Sequence, residues 1–155
     1  MGEGFEQLNL NEAILKTFEV PGNDIRTLSP LTLAYIGDAV YEMIIRSMVL
    51  GEKERTVNHL HKRTCSYVNA GTQCRLLQYM KETMTEEEQS VVRRGRNAKS
   101  YSVAKHASVS DYRLATGFEA LCGYLYLQGR LPRLLELLGT AIRTMTEDEE
   151  KEAKQ

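Results

Sequence analysis

A chain of 155 residues is long enough for one domain with a real core and too short for two, and 42% hydrophobic with 26% charged content is ordinary for a globular protein. No apolar run approaches the roughly 18 residues of a membrane span, and the start, MGEGFEQLN, lacks the pattern of a secretion signal, so a cytoplasmic protein without membrane contact is expected. The net charge of -1 gives no global sign of nucleic-acid binding, and Cys65, Cys74 and Cys122, odd in number and without a Cys-x-x-Cys, argue against a disulfide framework or a zinc site.

In chain order, residues 1–8 read as frayed, and a short docking helix from about Asn11 to Glu19 ends before the turn signal Pro21-Gly22. The stretch Leu28 to Gly51 reads as a core helix. Ser29 offers a capping hydroxyl, Pro30 fits the first helical position, and Gly51 is a natural stop. Between them Leu33, Ile36, Val40, Ile44, Ile45, Met48 and Val49 recur at helical spacing. A second long helix is expected over Lys53 to Gly71, with Val57, Leu60, Thr64, Tyr67 and Val68 on one face. Gly71 separates it from a helix at Thr72 to Met80. Thr85 followed by Glu88 matches a capping box and launches a helix to about Asn97. Ala98 to Ser110 reads as a loop, and Asp111 caps a helix running to Leu127. A last amphipathic helix covers Leu131 to Met145, with Leu134, Leu135, Leu138 and Ile142 inward. The acidic tail, residues 147–155, is expected to be disordered. No stretch alternates with period two, so the expected fold is all-α, one domain over residues 1–146.

Charge is unevenly spread. Outside the tail the chain carries 18 bases against 16 acids, and Val91 to His106 holds Arg93, Arg94, Arg96, Lys99 and Lys105 with no acid. A solvated helix end accounts for this run as well as a polyanion does.

Two acids sit where apolar residues are expected. Asp38 lies between Gly37 and Ala39 in the core helix, and Glu119 lies within Leu114, Ala115, Phe118, Leu121, Cys122 and Leu125. Burying an unpaired charge is costly, so each needs a cation, a metal or a wet cleft. Ala34 and Gly37 flank Asp38, while Ala115, Thr116, Cys122 and Gly123 flank Glu119, and such small residues let helices approach closely. Facing carboxylates on rigid helices suit a hard cation such as Mg²⁺, which activates water for attack. Salt bridges to core-edge arginines are the alternative, and the residues alone favour that plainer account of the two acids.

LAYIGDAVYE at Leu33 to Glu42 resembles the signature helix of the ribonuclease III family, and ATGFEALCGYLYL at Ala115 to Leu127 resembles its second acidic helix. The short length and RRGRNAK at Arg93 to Lys99 resemble the subclass that has the catalytic domain without a separate double-stranded-RNA-binding domain. The resemblance implies a helical bundle forming a symmetric homodimer that hydrolyses double-stranded RNA with Mg²⁺, Mn²⁺ being able to substitute. For the subclass it implies maturation of the ends of large-subunit (23S) ribosomal RNA precursor, with a ribosomal protein as a candidate partner. Asp38 and Glu119 match the family's catalytic, metal-binding acids. Two further acids of the larger enzymes are replaced by Ala34 and Thr116, which leaves the number of metal ions open.

RNA contact is assigned to Arg93, Arg94, Arg96, Asn97, Lys99 and Lys105. Glu42 is an additional candidate at the site, although it stands four residues before Arg46 in ion-pair spacing. His106, in the basic stretch, is an additional candidate for RNA, whereas His59 and His61 diverge on a helix and make a poor metal pair. Tyr35 and Tyr41 read as core or dimer contacts. The alternatives to an endoribonuclease are an inactive RNA-binding module of the ribosome and a helical protein-interaction domain.

Overall fold

The computed structural model describes residues 7–98 and 108–155. Every regular element among them is helical: α1 (Leu10–Thr17), a 3₁₀ turn (Ile25–Thr27), α2 (Pro30–Leu50), α3 (Val57–Val68), α4 (Ala70–Met80), α5 (Glu86–Asn97), α6 (Val109–Leu127) and α7 (Leu131–Ala153). The fold is all-α, as expected. None of the described helices is long and apolar enough to cross a membrane.

Local chemistry sets the helix ends. Ser29 Oγ accepts the Thr32 amide at 3.1 Å and Pro30 occupies the first turn of α2. The capping box of α5 closes in both directions: the Glu88 amide donates to Thr85 Oγ1 at 3.1 Å, and the Thr85 amide to Glu88 Oε1 at 2.8 Å. Glu88 is also fully buried. It is tolerated there because Arg133 of α7 donates to both its oxygens, at 2.8 and 3.0 Å, and to the Thr83 carbonyl at 2.8 Å.

Three boundaries differ from expectation. The break after α3 falls at Asn69, not Gly71, and one side chain makes it: Asn69 Nδ2 donates to the Cys65 and Ser66 carbonyls, ending α3, while its Oδ1 accepts the Thr72 amide, starting α4. Residues 53–56 precede α3 rather than belonging to it. Helix α6 begins at Val109, capped by Ser108, whose Oγ accepts the Asp111 amide at 3.0 Å. Asp111 is therefore a first-turn acid favoured by the helix dipole, not the cap.

The acidic tail is not disordered. Helix α7 runs through it to Ala153, held to α4 by the Tyr79 hydroxyl on Asp148 at 2.7 Å and by Arg75 on Glu149 at 2.6 Å. On α7, Leu134 and Leu138 are buried and Ile142 half-buried as expected, but Leu135 is 46% exposed and Leu137 is buried instead, and Val57 of α3 is exposed too.

Helix α6 is the hub, packing against α2, α4, α5 and α7. It is apolar nearly all round, with Phe118, Leu121, Cys122 and Leu125 fully buried. Glycines bring the helices together. A Cβ on Gly37 of α2 would stand 1.7 Å from the Glu119 carbonyl oxygen, and one on Gly123 of α6 would stand 2.0 Å from that of Leu33. Gly95 of α5 meets Gly117 of α6 in the same way, 2.7 Å from its Cα. Tyr41 seals this junction: its ring packs edge-on to Phe118 with centroids 4.8 Å apart, and its hydroxyl donates to the Tyr67 carbonyl at 2.8 Å. The three cysteines are free helix residues, Cys74 and Cys122 buried and Cys65 exposed.

Candidate active site

The glycine crossing of α2 and α6 decides where the two unusual acids lie. Gly37 rests against the backbone of Glu119, so Asp38, one residue on, stands at the rim of the same junction. Asp38 is exposed and Glu119 half-buried. Asp38 reaches solvent because α2 is apolar on two faces: Leu33, Ala34, Gly37, Val40 and Tyr41 face inward, while Leu31, Tyr35 and Met43 face out beside Asp38.

Asp38 acts on the Glu119 carboxyl. Burial first, and then the nearby charge of Asp38, push the Glu119 carboxyl up to about 7, while a hydrogen bond from Gln73 Nε2 to Glu119 Oε1 at 3.3 Å works in the opposite direction. Asp38 is also raised, by desolvation and then by the charge of Glu42. Among the described residues neither acid pairs with an arginine or lysine, which removes the salt-bridge explanation. Glu42 is engaged by Arg46, with Oε1 2.6 Å from Nη2 and 3.0 Å from Nε.

The donor set suits a hard divalent cation: two carboxylates whose protonation is favoured when no positive charge is near, and one amide able to turn its oxygen inward. Among the described residues no group of three or more His, Cys, Asp and Glu side chains converges to hold a metal. At the positions of the absent acids, Ala34 is buried and Thr116 is half-buried, its hydroxyl donating to the Tyr112 carbonyl at 3.0 Å.

Gln73 is the residue that the sequence reading missed. It is 2% exposed on α4 and reaches Glu119 across 46 positions of sequence. A signal existed: Gln73 falls on the stripe of Leu76, Leu77 and Met80, a polar residue on a buried face. His59 is held between Glu52 and Glu54, each 3.5 Å away, and has no part in the site. Tyr41 is core, whereas Tyr35 is 81% exposed.

The basic segment lies on the last turns of α5. Arg93, Arg94, Arg96 and Asn97 are all exposed, with Gly95 buried between them against Gly117, and no carboxylate pairs with these arginines among the described residues. Asn97 Oδ1 accepts from Arg96 Nε at 3.3 Å. Lys99, Lys105 and His106 lie outside the described residues.

Residues 31–130 match the family model described as Ribonuclease III domain. A protein named Mini-ribonuclease 3 from Thermoanaerobacter sp. (strain X514) is 46% identical over 79% of this chain and 87% of its own length. Its counterpart from Clostridium tetani is 43% identical over 88% and 91%, and that from Symbiobacterium thermophilum 50% identical over 74% and 88%. The crystal structure of a Fusobacterium nucleatum protein, 28% identical, superposes with a TM-score of 0.71 over 80% of this chain and 99% of that one. The chain belongs to the ribonuclease III family, in its Mini-ribonuclease 3 branch, and is an endoribonuclease.

Proposed function

We propose that the enzyme cuts structured double-stranded RNA with Mg²⁺, Mn²⁺ being able to substitute, through Asp38 and Glu119. The observation that carries this reading is the backbone contact of Gly37 with Glu119, which brings the Asp38 and Glu119 positions to one edge of the α2–α6 junction, where among the described residues no arginine or lysine pairs with either acid. When bound, the ion supplies Lewis acidity at the scissile phosphate and activates water. Asp38, at the open rim, offers oxygens to the ion from the solvent side. Glu119 does so from the inner side, and Gln73 fixes the orientation of its carboxylate.

Substrate grip falls to Arg93, Arg94, Arg96 and Asn97 on α5 and to Lys99, Lys105 and His106 beyond it. Duplex RNA is recognised through phosphates, 2′-hydroxyls and shape, which suits exposed guanidinium groups on a fixed helix end. The physiological substrate in this reading is the precursor of large-subunit (23S) ribosomal RNA, met in the cytoplasm with a ribosomal protein as a candidate accessory. Support for that comes from membership of the short branch.

The working form is a symmetric homodimer. Leu31, Tyr35, Met43 and Leu50 put 38 to 81% of their surface into solvent along one side of α2, beside Asp38. An apolar stripe of this kind next to a site that must address both strands fits a two-fold interface, with each protomer cutting one strand. Incubation of the protein with long double-stranded RNA tests the reading: cleavage with Mg²⁺ and none with EDTA is expected, and intact RNA under both conditions would leave an RNA-binding module. Light scattering of a Tyr35→Glu variant tests the dimer, the expected result being a monomer where the parent protein is a dimer.

A further inference from the structure

One helical step from Gln73, α4 forms the wall of a second depression, enclosed by α4, α5 and the first turns of α6. Its volume is 410 Å³, within the range of about 300 to 1,000 Å³ typical of small-molecule sites. The floor is apolar, made by Leu77, Met84, Val92 and Leu114, of which Leu77 is 7% exposed and the other three half-buried. The rim is cationic. Lys81, at the C-terminal cap of α4, and Arg93 and Arg96 of α5 line it, and among the described residues no carboxylate joins them and none of the three is paired with an acid. Cys74 and two amides complete the lining. Gln89 spends its Nε2 on the Met84 carbonyl at 3.1 Å, and among the described residues neither its oxygen nor the exposed Gln78 has a partner.

This combination is more than duplex recognition needs. A duplex backbone meets a surface as phosphates and hydroxyls, its bases stacked out of reach, so it calls for cations but leaves an apolar floor unused. A small anion likewise gains nothing from Leu77 or Leu114. A ligand that uses every wall carries a flat apolar face, hydrogen-bonding edges and one anionic group. We propose that this cleft is a nucleotide subsite that takes one nucleoside monophosphate unit, its base on Leu77, Met84, Val92 and Leu114 and its phosphate among Lys81, Arg93 and Arg96. The unit comes either as a free nucleotide or as an unpaired nucleotide beside the duplex. The second source rests on the RNA-cleaving reading and the first does not.

Methyl resonances of the four floor residues, followed in the full chain without divalent metal so that RNA stays intact, test this. Adenosine 5′-monophosphate, or a hairpin RNA with one unpaired adenosine beside its duplex, is expected to shift all four while inorganic phosphate leaves them in place. Lys81→Glu is expected to weaken the response about tenfold in Kd. A response to the free nucleotide identifies that source; a response to the hairpin alone, abolished when its unpaired nucleotide is made abasic, identifies the RNA. Floor methyls that stay still with both ligands overturn the proposal, as do equal shifts from phosphate or from fully paired RNA. Cleavage with Mg²⁺, measured on the same preparation, separates the two readings. Nucleotide shifts in a protein that does not cleave support the cleft and overturn the nuclease, and cleavage with silent floor methyls does the reverse.

Discussion

Gly37 and Glu119 touch through their backbones: a methyl group on the first would sit 1.7 Å from the carbonyl oxygen of the second. Neither partner can yield, because the obstructing atom is helix backbone. Gly37→Ala is therefore expected to destabilise the protein by about 1 to 3 kcal/mol or more and to carry Asp38 away from Glu119, lowering cleavage as well. Thermal unfolding together with initial rates reads both effects, and wild-type values in both would refute the close approach.

Asp38→Asn and Glu119→Gln keep shape and remove charge. Each is expected to abolish cleavage while leaving the helical spectrum and RNA retention near the parent's. Gln73→Leu, which frees the Glu119 carboxylate to rotate, should cost about 10- to 100-fold in activity or in Mg²⁺ affinity. Turnover near that of the parent in either acid variant would sink the assignment of the site.

Much of this arrangement was legible in the sequence because its signals are local. Ser29-Pro30 and the Thr85/Glu88 box act within one turn, and the small residues beside Asp38 and Glu119 announce a close helix crossing from composition alone. What escaped depends on partners far along the chain. Asn69 ends one helix and begins another with a single side chain, which a nearby glycine obscured. Four leucines within residues 134–138 leave the phase of α7 undetermined until α4 and α6 select Leu134, Leu137 and Leu138. Composition made the tail look unstructured, yet Tyr79 and Arg75 hold it, and Glu147 and Glu150 stand four residues before Lys151 and Lys154, the favourable order on a helix. Gln73 pairs across 46 residues, and no local window contains both ends.

Replacing Arg94 and Arg96 by Ala should raise KM for every duplex tested and reduce the slope of log affinity against log salt by about one for each phosphate no longer neutralised. KM and salt slope equal to the parent's would mean that these side chains are only a solvated helix end.

The buried pair of Glu88 and Arg133 gives a stability prediction with a defined pH dependence. Burial alone would raise the Glu88 carboxyl, but Arg133 and the Thr85 amide outweigh it and hold the group below its ordinary 4.5. A depressed carboxylate contributes stability above its unfolded pKa and loses it as pH falls toward the folded value. Arg133→Met should therefore cost about 3 to 5 kcal/mol near neutral pH, with the difference from the parent shrinking below about pH 4.5. Urea titrations across that interval measure it; a cost that stays constant with pH would assign the effect to poorer packing.

Thr116 marks where the larger family members carry an acid, and its half-buried position gives a carboxylate room that buried Ala34 does not. Thr116→Asp should lower the Mg²⁺ concentration for half-maximal rate, whereas Ala34→Glu should mainly destabilise. With few protein ligands, metal and RNA should also bind with positive coupling, seen as a half-saturating Mg²⁺ concentration that falls as RNA rises. Half-saturation unmoved by RNA or by Thr116→Asp would show that other protein groups complete the shell.

The contact of Gly95 with Gly117 lies two residues from Glu119 on α6, and the contact of Gly37 with the same helix lies at Glu119 itself. Three helices are thus bolted backbone to backbone within a single turn of α6, and the arginines at the end of α5 keep a constant distance from the carboxylates. In the proposed reading such a block would work as a ruler. The phosphates gripped by α5 would set where the strand is severed, so product ends should be uniform in length, and the offset between grip and cut should stay the same across RNA sequences and temperatures up to the point where the helices themselves come apart.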